Sequence, residues 1–325
     1  MRILRVVAAV VGAVLALAAG SWLAPVAAGV GTPGTARSTG HDAEWLGHAW
    51  VDGRKGPRDV AALARQLRGT GIRDVMVHAG PYADDGTLDP ALRPRARWLV
   101  GALHAALPGV RVQAWLGDLV GPGHLDLGSA RTRGRVLAGD RAVLADGFDG
   151  IHDDFEPVPD GDADLLTMLD ATRALTRARH VVLSVSASHL QPVPGLAGPV
   201  ALLPVRGALW SGGYLRRVAT RVDQVALMAY DTGLWDSHAY TGYVRQQTVA
   251  ALRSVPPDVA LLIGTPAYHD ENAVHHWRAE TVAASLRGIR LALGDQAPDR
   301  AFGVALYVDF AASASDWASF RRDWA

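Results

Sequence analysis

From Trp45 onward, short apolar β-branched runs alternate with longer stretches whose apolar residues recur at i, i+3 and i+4. The pattern predicts strands at 45–51 (WLGHAWV), 72–78 (IRDVMVH), 110–116 (VRVQAWL) and 148–156 (FDGIHDDFE). Four more are predicted at 181–187 (VVLSVSA), 222–230 (VDQVALMAY), 259–264 (VALLIG) and 302–309 (FGVALYVD). Amphipathic stretches between them, such as 58–69 (RDVAALARQLRG) and 162–178 (DADLLTMLDATRALTRA), read as helices. Eight strands, each followed by a helix, predict an α/β fold and a single (β/α)8 TIM barrel. An open doubly wound sheet shares the alternation. No Gly-x-Gly-x-x-Gly follows the first strand, which weakens its dinucleotide-binding version.

The first 28 residues read as a signal peptide: Arg2 and Arg5, an apolar run from Val6 to Ala19, then small residues at Val26-Ala27-Ala28 before Gly29. If it is not cleaved, the charge-free run from Val6 to Val30 is long enough to act as an N-terminal anchor. Residues 29–43 (GVGTPGTARSTGHDA) read as a flexible linker, and 44–325 as the barrel. On either reading the folded part is expected outside the cytoplasm, secreted or membrane-anchored.

Composition narrows the function classes. A chain of 325 residues, 49% hydrophobic and 20% charged, can bury a sizeable core, which excludes disorder. Thirty-two basic against 32 acidic residues give no electrostatic footprint for nucleic acid. The absence of cysteine excludes disulfides, a thiolate nucleophile, zinc fingers and iron–sulfur clusters. Lys55 is the only lysine, which points to a GC-rich bacterial genome. Glutamate occurs only at positions 44, 156, 271 and 280, so Glu156 stands out within a strand-like run.

That run is the most informative segment. A period of two puts Gly150, His152, Asp154 and Glu156 on the axial face, with Ile151 and Phe155 under the helices. Adjacent inward carboxylates repel, so one pKa rises. Glu156 can then stay protonated as a general acid while Asp154 stays charged. The alternative is a solvated acidic strand end. Polar residues also follow other strands, among them His48, His78, Asp118, Tyr230, Tyr268 and Asp309, which favours one shared site at the C-terminal mouth.

DGIHDDFE resembles the Asp-Gly-x-Asp-x-Asp-x-Glu signature of glycoside hydrolase family 18, the chitinases and endo-β-N-acetylglucosaminidases. Met228-Ala229-Tyr230-Asp231 is similar to that family's Met-x-Tyr-Asp, and GVALYVD (303–309) to its last strand. The resemblance implies a TIM-barrel glycosidase using substrate-assisted retention, with the substrate's own N-acetyl oxygen as nucleophile. It makes Glu156 the acid, Asp154 and Tyr230 the groups that hold the acetamido, and Asp231 a sugar ligand. Asp149, Met228, Trp235 and Tyr307 join as substrate-binding candidates. No cofactor is called for; the expected partner is a glycan containing N-acetylglucosamine, and the chain is read as a monomer.

Two departures accompany the resemblance. His152 stands where the family has aspartate. It is either a partner of Asp154, giving activity a limb at about pH 5–7, or a space-filling core residue satisfied by a carbonyl. Tyr307 stands where the family has tryptophan as the sugar floor, and still offers a stacking face.

Two other readings remain open. A non-catalytic carbohydrate-binding barrel has the same fold, although such proteins typically lose the acid. A metal-dependent barrel hydrolase, such as a deacetylase, would need several of the strand-end histidines 48, 78, 152, 189 and 269 to converge. No His-x-His or His-Glu-x-x-His pattern supports it. Most of the ten tryptophans read as core; Trp235, in a loop after the sixth strand, is the best candidate for stacking on a sugar.

Overall fold

A computed structural model describes residues 25–191 and 209–325. Eight strands close into one parallel barrel in chain order. They are β1 (Asp42–Leu46), β2 (Ile72–His78), β3 (Arg111–Leu119), β4 (Gly150–Glu156), β5 (Val182–Ala187), β6 (Gln224–Met228), β7 (Ala260–Pro266) and β8 (Phe302–Tyr307). The helices outside are α1 (Pro57–Leu67), α2 (Ala96–Ala106), α3 (Ala130–Ala145), α4 (Ala163–Arg179), α5 (Gly212–Ala219), α6 (Ser237–Ser254), α7 (Val282–Leu293) and α8 (Ala314–Asp323). Their starts follow local sequence. Ser129, Asp162, Ser211, Asp236 and Thr281 each accept a backbone N–H of the first turn, and Ser313 forms a capping box with Asp316.

The main difference from the sequence pattern is β1. It starts at Asp42, and the apolar run beyond it turns into a 3-10 helix at His48–Trp50. Asp42 is fully buried, yet it is satisfied: Trp324 Nε1 and Val304 N both donate to its Oδ1 at 2.7 Å. A charged residue can therefore open a buried strand, which a hydrophobicity pattern does not anticipate.

The expected flexible linker at 29–43 is also corrected, because it is strapped to the barrel. Arg245 donates to the Ala28 carbonyl (3.0 Å), Arg287 to Gly31 (2.5 Å) and Arg290 to Gly34 (2.7 Å). Ala36 is buried, and the Ser38 N–H bonds Trp324 O. Arginines on α6 and α7 thus supply the partners that a Gly-rich chain would otherwise take from water. Residues 1–24, most of the predicted signal or anchor, lie outside the described residues. Among the described residues no helix is long and apolar enough to cross a membrane.

Side-chain alternation divides the core in two. Val75, Val77, Leu116, Ile151, Leu183, Val225 and Ile263 pack outward under the helices. Ala43, Trp45, Met76, Ala226, Leu262 and Ala305 fill the barrel's inside. Below these, the axis holds a closed polar network. Arg111 clamps Asp74 through two nitrogens at 2.7 and 2.6 Å. Gln113 donates to Asp74 (3.0 Å) and to Gln224 (2.9 Å), Gln224 donates to Asp74 (3.2 Å), and Ser184 donates to Gln113 (2.6 Å).

Candidate active site

Strand β4 carries the site upward from this network in steps of two residues. His152 comes first, wholly buried. Its Nδ1 lies 2.7 Å from Ser184 Oγ, and its Nε2 lies 3.1 Å from Trp45 Nε1 and 3.0 Å from Ser186 Oγ. An indole N–H only donates, so Nε2 is the bare nitrogen and Nδ1 carries the proton toward Ser184. Burial pushes the imidazole down to about 3. The expected partnership with Asp154 is therefore corrected, while the space-filling core reading holds in all but the partner. His152 is satisfied by two serines and a tryptophan rather than by Asp154 or a carbonyl, and it stays neutral across pH 5–7.

Asp154 is next. Trp115 Nε1 donates to its Oδ2 at 2.7 Å, while its buried Oδ1 has no partner among the described residues. Burial raises its pKa, and the indole and the Ser186 hydroxyl draw it partly back. Gly117, opposite in β3, lets the backbone of β4 come close at this residue: a Cβ there would fall 1.8 Å from the Asp154 backbone carbonyl oxygen.

Glu156 ends the strand, half-buried. Burial first, then the charges of Asp154 and Asp231, push it up to about 8. It holds a transferable proton at neutral pH, which is the property a general acid requires.

Tyrosines from three other strands complete the floor. Tyr230 and Tyr307 stack at 5.2 Å with rings 13° apart, and Tyr268 and Trp115 meet Tyr307 edge-on at 5.6 and 5.9 Å. Gly264 leaves space for Tyr230, since a Cβ there would come within 2.9 Å of its ring. Burial raises both hydroxyls, Tyr307 to about 12 and Tyr230 further, so they remain donors.

These groups surround a cavity of about 650 Å³ at the C-terminal mouth. Six sequence candidates line it together: Glu156, Asp154, Met228, Tyr230, Asp231 and Tyr307. A second hollow of about 210 Å³, walled by His78, Trp115 and Asp118, meets the first at Asp154 and Glu156.

Three candidates are not brought in: His152 lies wholly buried and does not line the cavity, and Asp149 and Trp235 lie elsewhere. Asp149 precedes β4 at the opposite end of the barrel, on the order of 20 Å of strand away from Glu156. It serves structure there, lying 2.7 Å from His104 Nε2 and accepting the Val112 N–H at 2.8 Å. Trp235 is 70% exposed on its loop and does not line the cavity.

Sequence reasoning placed Tyr268 beyond the seventh strand, at the mouth, without giving it a role, and missed any part for His275 and Glu280. His275 is fully buried, 3.2 Å from Asp231 Oδ1 and 3.6 Å from Glu280 Oε2. The only signal for Glu280 was the rarity of glutamate. The strand-end histidines are dispersed: His48 pairs with His78, His189 with Tyr243, His269 with Asp316, and His152 with its serines. Among the described residues no three His, Asp or Glu side chains are gathered to hold a metal ion.

A closed eight-stranded parallel barrel with carboxylates at the mouth of β4 is a (β/α)8 barrel with its polar groups at the end where such barrels carry their sites. No protein-family model matches the chain, and no curated protein matches its sequence. Solved structures do match. The chitinase of Chromobacterium violaceum superposes with a TM-score of 0.59 at 15% identity, over 89% of this chain and 99% of its own. The spore cortex-lytic enzyme SleL of Bacillus megaterium gives 0.58 at 11%, over 91% and 76%. A family 18 N-acetylglucosaminidase of Paenibacillus barengoltzii gives 0.54 at 12%, over 87% and 99%. The fold is a glycoside hydrolase family 18-like barrel.

Proposed function

We propose that the chain is a retaining glycosidase that cleaves β-linked N-acetylglucosamine in chitin-like or cell-wall-derived glycans. The observation that carries this reading is the placement of Glu156 beside Asp154 on one tyrosine-floored cavity, with Asp154 Oδ1 buried and without a partner among the described residues; burial and the neighbouring charges raise the Glu156 pKa in support. The names of the matched structures support the same substrate class.

In this reaction Glu156 gives its proton to the glycosidic oxygen as the C1–O bond breaks. The acetamido carbonyl oxygen bonds to C1 from the other face, forming an oxazolinium ion. Asp154 receives the acetamido N–H on Oδ1 and balances the growing positive charge. Tyr230 donates to the acetamido oxygen and orients it. Glu156, now a carboxylate, takes a proton from water as the water oxygen attacks C1. The ring opens and the β configuration is kept. The second hollow gives the leaving sugar room on the far side of Glu156.

The same proposal places the protein outside the cytoplasm, on the strength of the apolar run from Val6 to Val30, and acting as a monomer. Incubation with N-acetylglucosamine oligomers, followed by NMR of the new reducing ends, tests it. The β-anomer should appear first. Release of the α-anomer first would overturn the mechanism, and saturable binding without release would favour the non-catalytic barrel.

A further inference from the structure

Behind the cavity lies a cluster that the proposed reaction does not use. Asp231 sits at φ 59°, a left-handed conformation that aspartate tolerates better than most side chains. Three groups hold it here. Tyr268 donates its hydroxyl to Asp231 Oδ1, and the His275 ring stacks on Tyr268 at 4.1 Å with 24° between planes. Thr232, the next residue, is held by Glu280, which accepts its N–H at 3.2 Å and its hydroxyl at 3.0 Å.

Two carboxylates, from Asp231 and Glu280, converge on one nitrogen of a fully buried ring. Glu280 is as fully buried as the ring, while Asp231 is 43% exposed at the cavity wall, and a buried carboxylate such as Glu280 needs a counter-charge. Among the described residues no lysine or arginine lies within ion-pair distance of either, so the ring is the one available cation. The other titratable groups facing the cluster are Tyr240 and Tyr243 from α6 and His189 from the loop after β5. Burial raises the two tyrosines and lowers the histidine, so all three stay neutral.

We propose that His275, as an imidazolium, is a positioning residue that fixes Asp231 in its left-handed conformation and offsets the charge Asp231 exerts on Glu156. The proposal rests on the glycosidase reading for its effect on turnover, though not for the charge state of the ring. Burial alone would lower the His275 pKa; contact with Asp231 and Glu280 outweighs it and lifts the group to about 9. The ring is thus charged through neutral pH and loses its proton above that value. Asp231 is one of the negative charges that keep Glu156 protonated, and a cation behind Asp231 weakens that action.

His275→Gln removes the charge and keeps a polar side chain. The alkaline limb of the pH–rate profile should move upward, on the order of half a pH unit, together with a fall in kcat. A merely structural role would lower activity and leave the limb in place. An independent readout is NMR of the protein with 15N-labelled histidine. The His275 signals, identified by their loss in His275→Gln, should report a charged ring up to about pH 9, and Asp231→Asn should bring the titration down toward about 6.5. If His275→Gln does not fold, Glu280→Gln should lower the ring's titration in the same way. A His275 that titrates at or below about 6.5 in the unmodified protein overturns the proposal, as does an unmoved limb in folded His275→Gln. The NMR titration reads the same whether or not the protein hydrolyses N-acetylglucosamine glycans, so a failure of that reading is recognised separately.

Discussion

At the base of the barrel axis Asp74, Arg111, Gln113, Gln224 and Ser184 satisfy one another, while at the mouth Asp154 keeps a buried oxygen without a partner and Glu156 faces the cavity. The two regions are built from similar residue types and enclosed by the same strands. Their difference teaches that polarity inside a barrel does not by itself mark a site: the base is closed upon itself, whereas Asp154 keeps an unpartnered oxygen beside an open cavity. His152 is the boundary. Its Nδ1 faces the base through Ser184, and its Nε2 faces the mouth through Ser186.

The sharpest way to break this comparison is at Glu156. Glu156→Gln keeps the shape and removes the proton, so turnover on an N-acetylglucosamine oligomer should fall by about 10²–10⁴-fold while oligosaccharide binding survives. Near-full activity would return the mouth to a structural role.

A change at the base should do the opposite. Gln113→Leu takes a donor from Asp74 and an acceptor from Ser184, with an expected loss of about 1.5–3 kcal/mol in denaturant unfolding and little change in kcat. A large kcat effect with unchanged stability would mean that the two regions are not separate.

Titration separates them further. Glu156, Asp153 and Glu44 all have raised pKa values, with burial the first cause for each. The folded state therefore keeps protons that the unfolded chain releases above about pH 4.5, and stability should fall as pH rises from there through about 8. Thermal melts across that range check the direction, and Glu156→Gln should remove the part of the slope nearest pH 8.

The smallest effect is expected at the boundary. Because His152 stays neutral, His152→Gln should change turnover by less than about tenfold and leave both limbs of the pH–rate profile where they were. A displaced acid limb would restore the histidine to the proton chemistry.

Much of this was legible in the sequence where one strand carried the information. The period of two in β4 put His152, Asp154 and Glu156 inward and Ile151 and Phe155 outward, and the structure has them so. Asp149 was misplaced by the resemblance to the strand motif, because membership of a motif does not give a height along the barrel, and Asp149 lies at the end away from the mouth. The hydrophobic pattern missed the strap and the start of β1, where buried polar groups are satisfied by arginines and by Trp324 far away in sequence. His275 and Glu280 left no local trace, since Glu280 meets Thr232 across 48 residues and two different loops.

Asp42 ties β1 to Val304 in β8 and to Trp324, a residue 282 positions later. During synthesis this makes closure of the barrel a late event. A nascent chain halted before β8 can pair β1 with β2 and hold its strap on α6 and α7, but the other edge of β1 waits open for the last strand. Contacts of such long sequence separation form slowly, which leaves the chain open while it is being made. Ribosome-arrested chains ending at Ala301 should be cut by protease as readily as unfolded protein, and chains that include Trp324 should resist.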